Sequence, residues 1–138
     1  TGVPMPLVQK ALKEGQQVIA LPKFDPDRFQ NTNIATLFQS RETRRRYTDQ
    51  PLTSQELSFL LWATQGVRRD TGKVVFRTVP SGGNRHPLET YLAIQRVTGF
   101  EPGIYRYLPL DHALVLEQAF ETQEALRDRR GRGDLQGI

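Results

Sequence analysis

Two stretches of the chain hold side chains whose types and spacing could do chemistry. The first is Ser40-Arg41-Glu42-Thr43-Arg44-Arg45-Arg46-Tyr47-Thr48. In an extended segment alternate side chains share a side, so Arg41, Thr43 and Arg45 converge while Arg44 and Arg46 point away. Two guanidinium forks and a hydroxyl suit a phosphate. Consecutive arginines also make an ordinary solvated face. The second stretch is Pro80-Ser81-Gly82-Gly83-Asn84-Arg85-His86-Pro87. Its adjacent glycines let a ligand approach the backbone, and Ser81 and Asn84 offer hydrogen bonds to a planar heterocycle. A tight turn entering a strand would show the same composition. His86 alone reads as a packed or hydrogen-bonded histidine rather than a catalytic base.

The composition narrows what these clusters can do. The chain has 138 residues, no cysteine and two histidines, His86 and His112. That removes disulfides, thiolate metal sites and a cysteine nucleophile, argues against any metal cage, and fits a reducing cytosol. No run of about 18 apolar residues could span a bilayer, and the start lacks a secretory pattern, so the expectation is a cytoplasmic protein. Of the 19 basic residues all but Lys10, Lys13, Lys23 and Lys73 are arginine, and the net charge is +4. A bias toward planar donor forks favours an anionic partner, nucleic acid or a phosphorylated cofactor.

The elements that must position the clusters follow from periodicity. Leu7, Val8, Ala11 and Leu12 suggest a short helix, and residues 18–30 an extended arm with Pro22 and Pro26. Ile34, Leu37 and Phe38 predict a helix capped by Asn33 that delivers the chain to Arg41. Thr53 and Glu56 form a capping box for a helix running to Gly66, with Leu57, Phe59, Leu60, Leu61, Trp62 and Ala63 apolar nearly all round. Arg68 to Lys73 reads as a charged loop. Tyr91 to Ile94 predicts a central strand, and Ile104–Leu108 with Ala113–Leu116 a hairpin that puts Tyr105 and Tyr107 on one face. Phe120, Ala125 and Leu126 suggest a last helix ahead of an arginine-rich tail.

The order of these features resembles the nitroreductase family of flavoproteins, most closely its azoline-dehydrogenase-like branch, the oxidases of thiazole and oxazole peptide biosynthesis. Ser40 to Leu52 looks like that branch's Arg-Arg-Ser-x-Arg segment, Leu57 to Gly66 like its first core helix, Arg77 to Tyr91 like its Pro-Ser-x-Gly loop and strand, and Glu101 to Tyr107 like its Glu-Pro-Gly-x-Tyr-x-Tyr hairpin. The likeness covers roughly Ile34 to Leu116. Family members continue well past this length, so the resemblance implies a shortened version lacking the C-terminal half.

What the resemblance implies is an α+β, nitroreductase-like fold in which an antiparallel sheet is flanked by helices. Residues 1–31 would form an N-terminal arm, 32–120 the nitroreductase-like domain and 121–138 a basic tail. The implied function is FMN-dependent oxidoreduction, with hydride passing through the flavin to or from a small molecule or a peptide azoline, and with NAD(P)H as a donor. Arg41, Thr43 and Arg45 would meet the FMN phosphate, ribityl chain and pyrimidine edge. Pro80, Ser81, Gly82, Gly83 and Asn84 would contact the flavin from the partner subunit of a homodimer with shared sites. Glu42 replaces the family's usual second arginine and is left out of the site. No residue is named as catalytic acid or base. The alternative is a noncatalytic relative acting as a dimerising or binding partner. A nucleic-acid reading, using Arg44 to Arg46 and the tail, is the weakest, since the tyrosines are not interleaved with the arginines as stacking platforms.

Overall fold

The computed structural model describes residues 7–23, 25, 27 and 33–120. Local signals set the helices. Asn33 Oδ1 accepts from the backbone of Ala35 and Thr36 and opens α1, Ile34–Ser40. Thr53 and Glu56 bond reciprocally across the first turn of α2, Ser54–Gln65, and these bonds hold the exposed Glu56 carboxyl below its usual range. Gly66 ends α2 by close approach. A Cβ there would lie 2.5 Å from Trp62 Cδ1 and 2.6 Å from Trp62 O.

The strands form two sheets. β4 (Tyr91–Ile94), β5 (Gly103–Leu108) and β6 (Ala113–Ala119) make an antiparallel meander, and β1 (Val18–Ala20) adds to the free side of β6, giving the order β1-β6-β5-β4. Of the Arg68 to Lys73 stretch expected as a charged loop, Arg68 to Asp70 instead lie in β2 (Val67–Asp70), which pairs with β3 (Val75–Arg77), and the remainder forms the turn at Gly72 (φ +76°) that joins them. Arg69 lies over the Phe76 ring, so a charged strand gains apolar cover from its cross-strand partner. β4, expected at the centre, is an edge of its sheet among the described residues.

Alternation along β5 separates the sheet's two faces. Tyr105 and Tyr107 point to the α2 side, where Leu57 and Leu61 pack with Leu21, Ile94 and Leu114 in the main core. Arg106 points to the other side, which also holds the smaller cluster of Leu108, Ala113 and Val115. Against that second face lies the backbone of residues 8–11. No helix forms from Leu7 to Leu12, because the carbonyls a helix would use internally are taken by arginines of the body: Val8 O by Arg77, and Lys10 O and Ala11 O by Arg106. α1 was expected to pack on the sheet, yet none of its residues is buried. The helix suggested around Phe120 to Leu126 lies largely outside the described residues.

Candidate functional site

The basic segment runs from Arg41 to Thr48 without helix or strand, and every residue from 33 to 50 is exposed. Glu42 accepts from Arg44 Nε at 2.7 Å. Residues two apart meet in this way only when the chain is extended, so Glu42 and Arg44 share one side and Arg41, Thr43 and Arg45 the other. The Glu42 carboxylate therefore engages its own neighbour.

The second segment is a loop tied to itself. Asn84 Nδ2 donates to Val75 O at 2.7 Å, and Asn84 Oδ1 lies 3.1 Å from the His86 ring. Ser81 Oγ accepts from His86 N at 2.9 Å. Gly83, Asn84 and His86 all have positive φ, a concentration of left-handed backbone that these bonds hold in place. Burial, with the Arg77 charge second, keeps the His86 ring below its ordinary range. Ser81 and Asn84, the residues expected to face a ligand, spend part of their hydrogen-bonding capacity on His86 and on the Val75 carbonyl of β3. The loop's outward face includes Gly82 and Gly83, exposed alongside Pro80, Arg85 and Pro87, and a Cβ on Gly82 would meet nothing within 4 Å. Among the described residues no hydrogen bond or ion pair joins this loop to Arg41, Thr43 or Arg45.

A third constellation is absent from the sequence reading. Ser58 on α2 donates to Pro22 O, so its oxygen can only accept from His112 Nε2, 2.8 Å away. His112 Nδ1 then carries no hydrogen and accepts from Tyr107 OH at 2.8 Å. Burial pushes His112 down, against a smaller upward effect of Pro22, and pushes Tyr107 up to about 12. The chain of donors has a single direction, Tyr107 to His112 to Ser58 to Pro22. A serine whose proton is committed to a carbonyl, beside a histidine that already donates to it, is not a nucleophile with its base. It is a polar bolt joining β5, the β5–β6 turn, α2 and the N-terminal arm.

Residues 38–135 match the Nitroreductase family. The chain belongs to that family. It is 44% identical over 75 residues to the nitroreductase-family protein MJ1384 of Methanocaldococcus jannaschii, an alignment covering 54% of this chain and 36% of that protein. It is 38% identical over 60 residues to the trifolitoxin-processing protein TfxB of Rhizobium leguminosarum bv. trifolii, covering 42% of this chain and 16% of TfxB. A crystal structure of a nitroreductase-family protein from Ralstonia eutropha JMP134 superposes with a TM-score of 0.58 at 34% identity, covering 86% of this chain and 50% of that one. The nitroreductase-like α+β fold is thus established, and the chain spans half or less of each of these relatives.

Two buried arginines also escaped the sequence reading. Arg106 is 1% exposed and donates to Glu117 at 2.7 Å, with Glu89 3.9 Å away. Burial alone would raise the Glu117 carboxyl, but the Arg106 bond and charge outweigh it and hold the group below its ordinary range. Arg77 is 8% exposed, at the end of β3 immediately ahead of the loop. The only sequence signal for Arg106 is its place between Tyr105 and Tyr107, which puts it on the opposite face from two aromatics.

Proposed function

We propose that the protein is an FMN-dependent oxidoreductase of the nitroreductase type, with two sites shared across a homodimer. Three features support it: family membership, a basic segment with one side free for an anion, and a stiff loop that turns bare glycine backbone outward. The donor set fits the cofactor. Arg41 and Arg45 would neutralise the phosphate through charge-assisted forks, Thr43 would donate to the ribityl chain, and a guanidinium at the pyrimidine edge would stabilise charge arriving on the ring. Flavin, when bound, supplies hydride transfer to or from a small molecule or a peptide azoline, with NAD(P)H as a donor. Pro80, Ser81, Gly82, Gly83 and Asn84 would form the wall against the ring, where the absence of side chains at 82 and 83 permits contact and the Ser81 and Asn84 bonds hold the wall still.

Uncovered apolar surface supports the dimer. Phe38, Tyr47 and Leu88 are 75%, 87% and 81% exposed, and Ile34, Leu37 and Leu60 add to them. A second copy that covers α1 would also bring the basic segment and the loop together, which one copy does not do. A second reading is a noncatalytic relative serving as a dimerising or binding partner. Visible absorption of the purified chain after FMN addition and desalting separates the two. Retained bands near about 370 and 450 nm that bleach with reduced nicotinamide are expected for the enzyme. A colourless protein, monomeric by light scattering at micromolar concentration, would refute the flavoenzyme and leave the partner.

A further inference from the structure

The strap of residues 8–11 is held mostly through main-chain atoms. Lys10 N donates to Glu89 Oε1 at 2.7 Å, Arg106 donates to Lys10 O at 2.9 Å and to Ala11 O at 3.4 Å, and Arg77 Nη2 donates to Val8 O at 2.7 Å. The Lys10 and Ala11 side chains are exposed and take no part. Gln9 is the exception, donating to Asp111 at 2.7 Å and accepting from Leu110 N at 3.0 Å.

Beneath the strap one buried donor has no acceptor: Arg77 Nε. Nε and Nη2 are the two nitrogens of a guanidinium's side-on edge, the edge that a carboxylate fills with two parallel bonds. Here a single carbonyl occupies half of it, and among the described residues no carboxylate lies within 4 Å of Arg77, whose nearest opposing charge is Glu89, acting through space while it holds Lys10 N. Arg106 by contrast has its own carboxylate in Glu117. A buried guanidinium left half-satisfied is costly, and a ligand that completes it recovers that cost.

The geometry points to a carboxylate-binding site on the side-on edge of Arg77, closed by the chain's own residues 8–11, in which the ligand's carboxylate replaces the Val8 carbonyl and accepts from both Nε and Nη2. The strap can lift without dismantling the sheet. Between it and β1 lies a turn in which Gln16 N donates to Lys13 O and Gly15 takes a left-handed φ of +78° with open space around it. β1 then keeps its pairing to β6 while residues 8–12 swing away. The carboxylate comes from a peptide terminus or from a small acid. The site does not depend on the flavin reading, although it opens three residues before Pro80 and would bring an acid next to that loop.

NMR of the full chain tests this with three probes: N-acetyl-trialanine with a free carboxylate, the same peptide as its C-terminal amide, and acetate. The free-acid peptide is expected to move the Arg77 Nε–H and Lys10 N–H signals saturably, and the amide is not. Lys10→Pro, which removes the N–H that Glu89 holds, should tighten binding about tenfold by weakening the strap. Arg77→Lys, which keeps the charge and loses the edge, should weaken it at least about tenfold. Acetate binding as tightly as the free-acid peptide assigns the site to small acids, and tighter peptide binding assigns it to chain termini. Equal binding of acid and amide, or no movement of the Arg77 signal in either the parent or Lys10→Pro, overturns the proposal. These two comparisons decide it even if Arg77→Lys does not fold.

Discussion

Replacing Ser58 by alanine tests the directed chain of hydrogen bonds more sharply than any other single change. The hydroxyl serves two partners at once, donating to Pro22 O and accepting from His112 Nε2. Its site is fully buried, so no water takes its place. A buried partner left unpaired costs about 1–3 kcal/mol, and both His112 and Pro22 lose the hydroxyl, a loss offset in part by the ring's own interaction with the Pro22 backbone. Allowing for Pro22 being only half-buried, Ser58→Ala should lower the unfolding free energy by about 3 kcal/mol, roughly 10 °C in Tm for a domain of this size. Tyr107→Phe removes only the last donor of the chain and should cost about 1–2 kcal/mol. Urea unfolding at pH 7.5, followed by Trp62 fluorescence, measures both. A loss below about 0.5 kcal/mol for Ser58→Ala, or a larger loss for Tyr107→Phe than for Ser58→Ala, would show that the serine does not bridge two groups.

The same geometry makes stability depend on pH. His112 and His86 are held below their ordinary 6.5 chiefly by burial, so the folded chain prefers both neutral; stability is full above about pH 6.5 and falls as pH drops from there through their folded-state values. Glu117, held below 4.5, adds a second loss at still lower pH, so urea midpoints should decline in order at pH 7.5, 5.5 and 3.5. If FMN binds, Arg45→Ala should weaken it about tenfold and Arg44→Ala much less, because Arg44 is engaged with Glu42 on the other side of the segment; equal losses in a flavin fluorescence titration would reduce the segment to diffuse charge. Gly66→Ala drives a methyl into the Trp62 backbone and should cost about 1–3 kcal/mol, visible as an early thermal transition.

Elements written in neighbouring residues were legible in the sequence. Asn33 and the Thr53–Glu56 box act within one helical turn, and the β5–β6 hairpin is an alternating pattern around a short turn, so composition alone places them. The misreadings share a cause. Arg68 to Lys73 looked like a loop because the pairing of β2 with β3 leaves most of its charges exposed, and a charged strand carries no apolar alternation. Leu7 to Leu12 looked helical because nothing local reveals that Arg77 and Arg106, about 70 to 95 residues away, claim its carbonyls. The candidate site divides the same way. The glycines and arginines were visible by type, whereas the use of Ser81 and Asn84 inside their own loop depends on Val75 and His86 in three dimensions.

The exposed stretch from 33 to 50 connects two parts that already hold one another. On one side the arm is fixed by β1 against β6, by Pro22 accepting from Ser58 and by the strap's bonds to two arginines. On the other, α2 is fixed in the main core. The covalent link between them crosses no buried contact in this stretch, so a cut there severs the chain without breaking the fold. Proteolysis at Arg44 to Arg46 should yield two fragments that travel as one particle. The continuity that this fold needs is carried by hydrogen bonds and packing, and the peptide bonds of the basic segment are free to answer to whatever binds them.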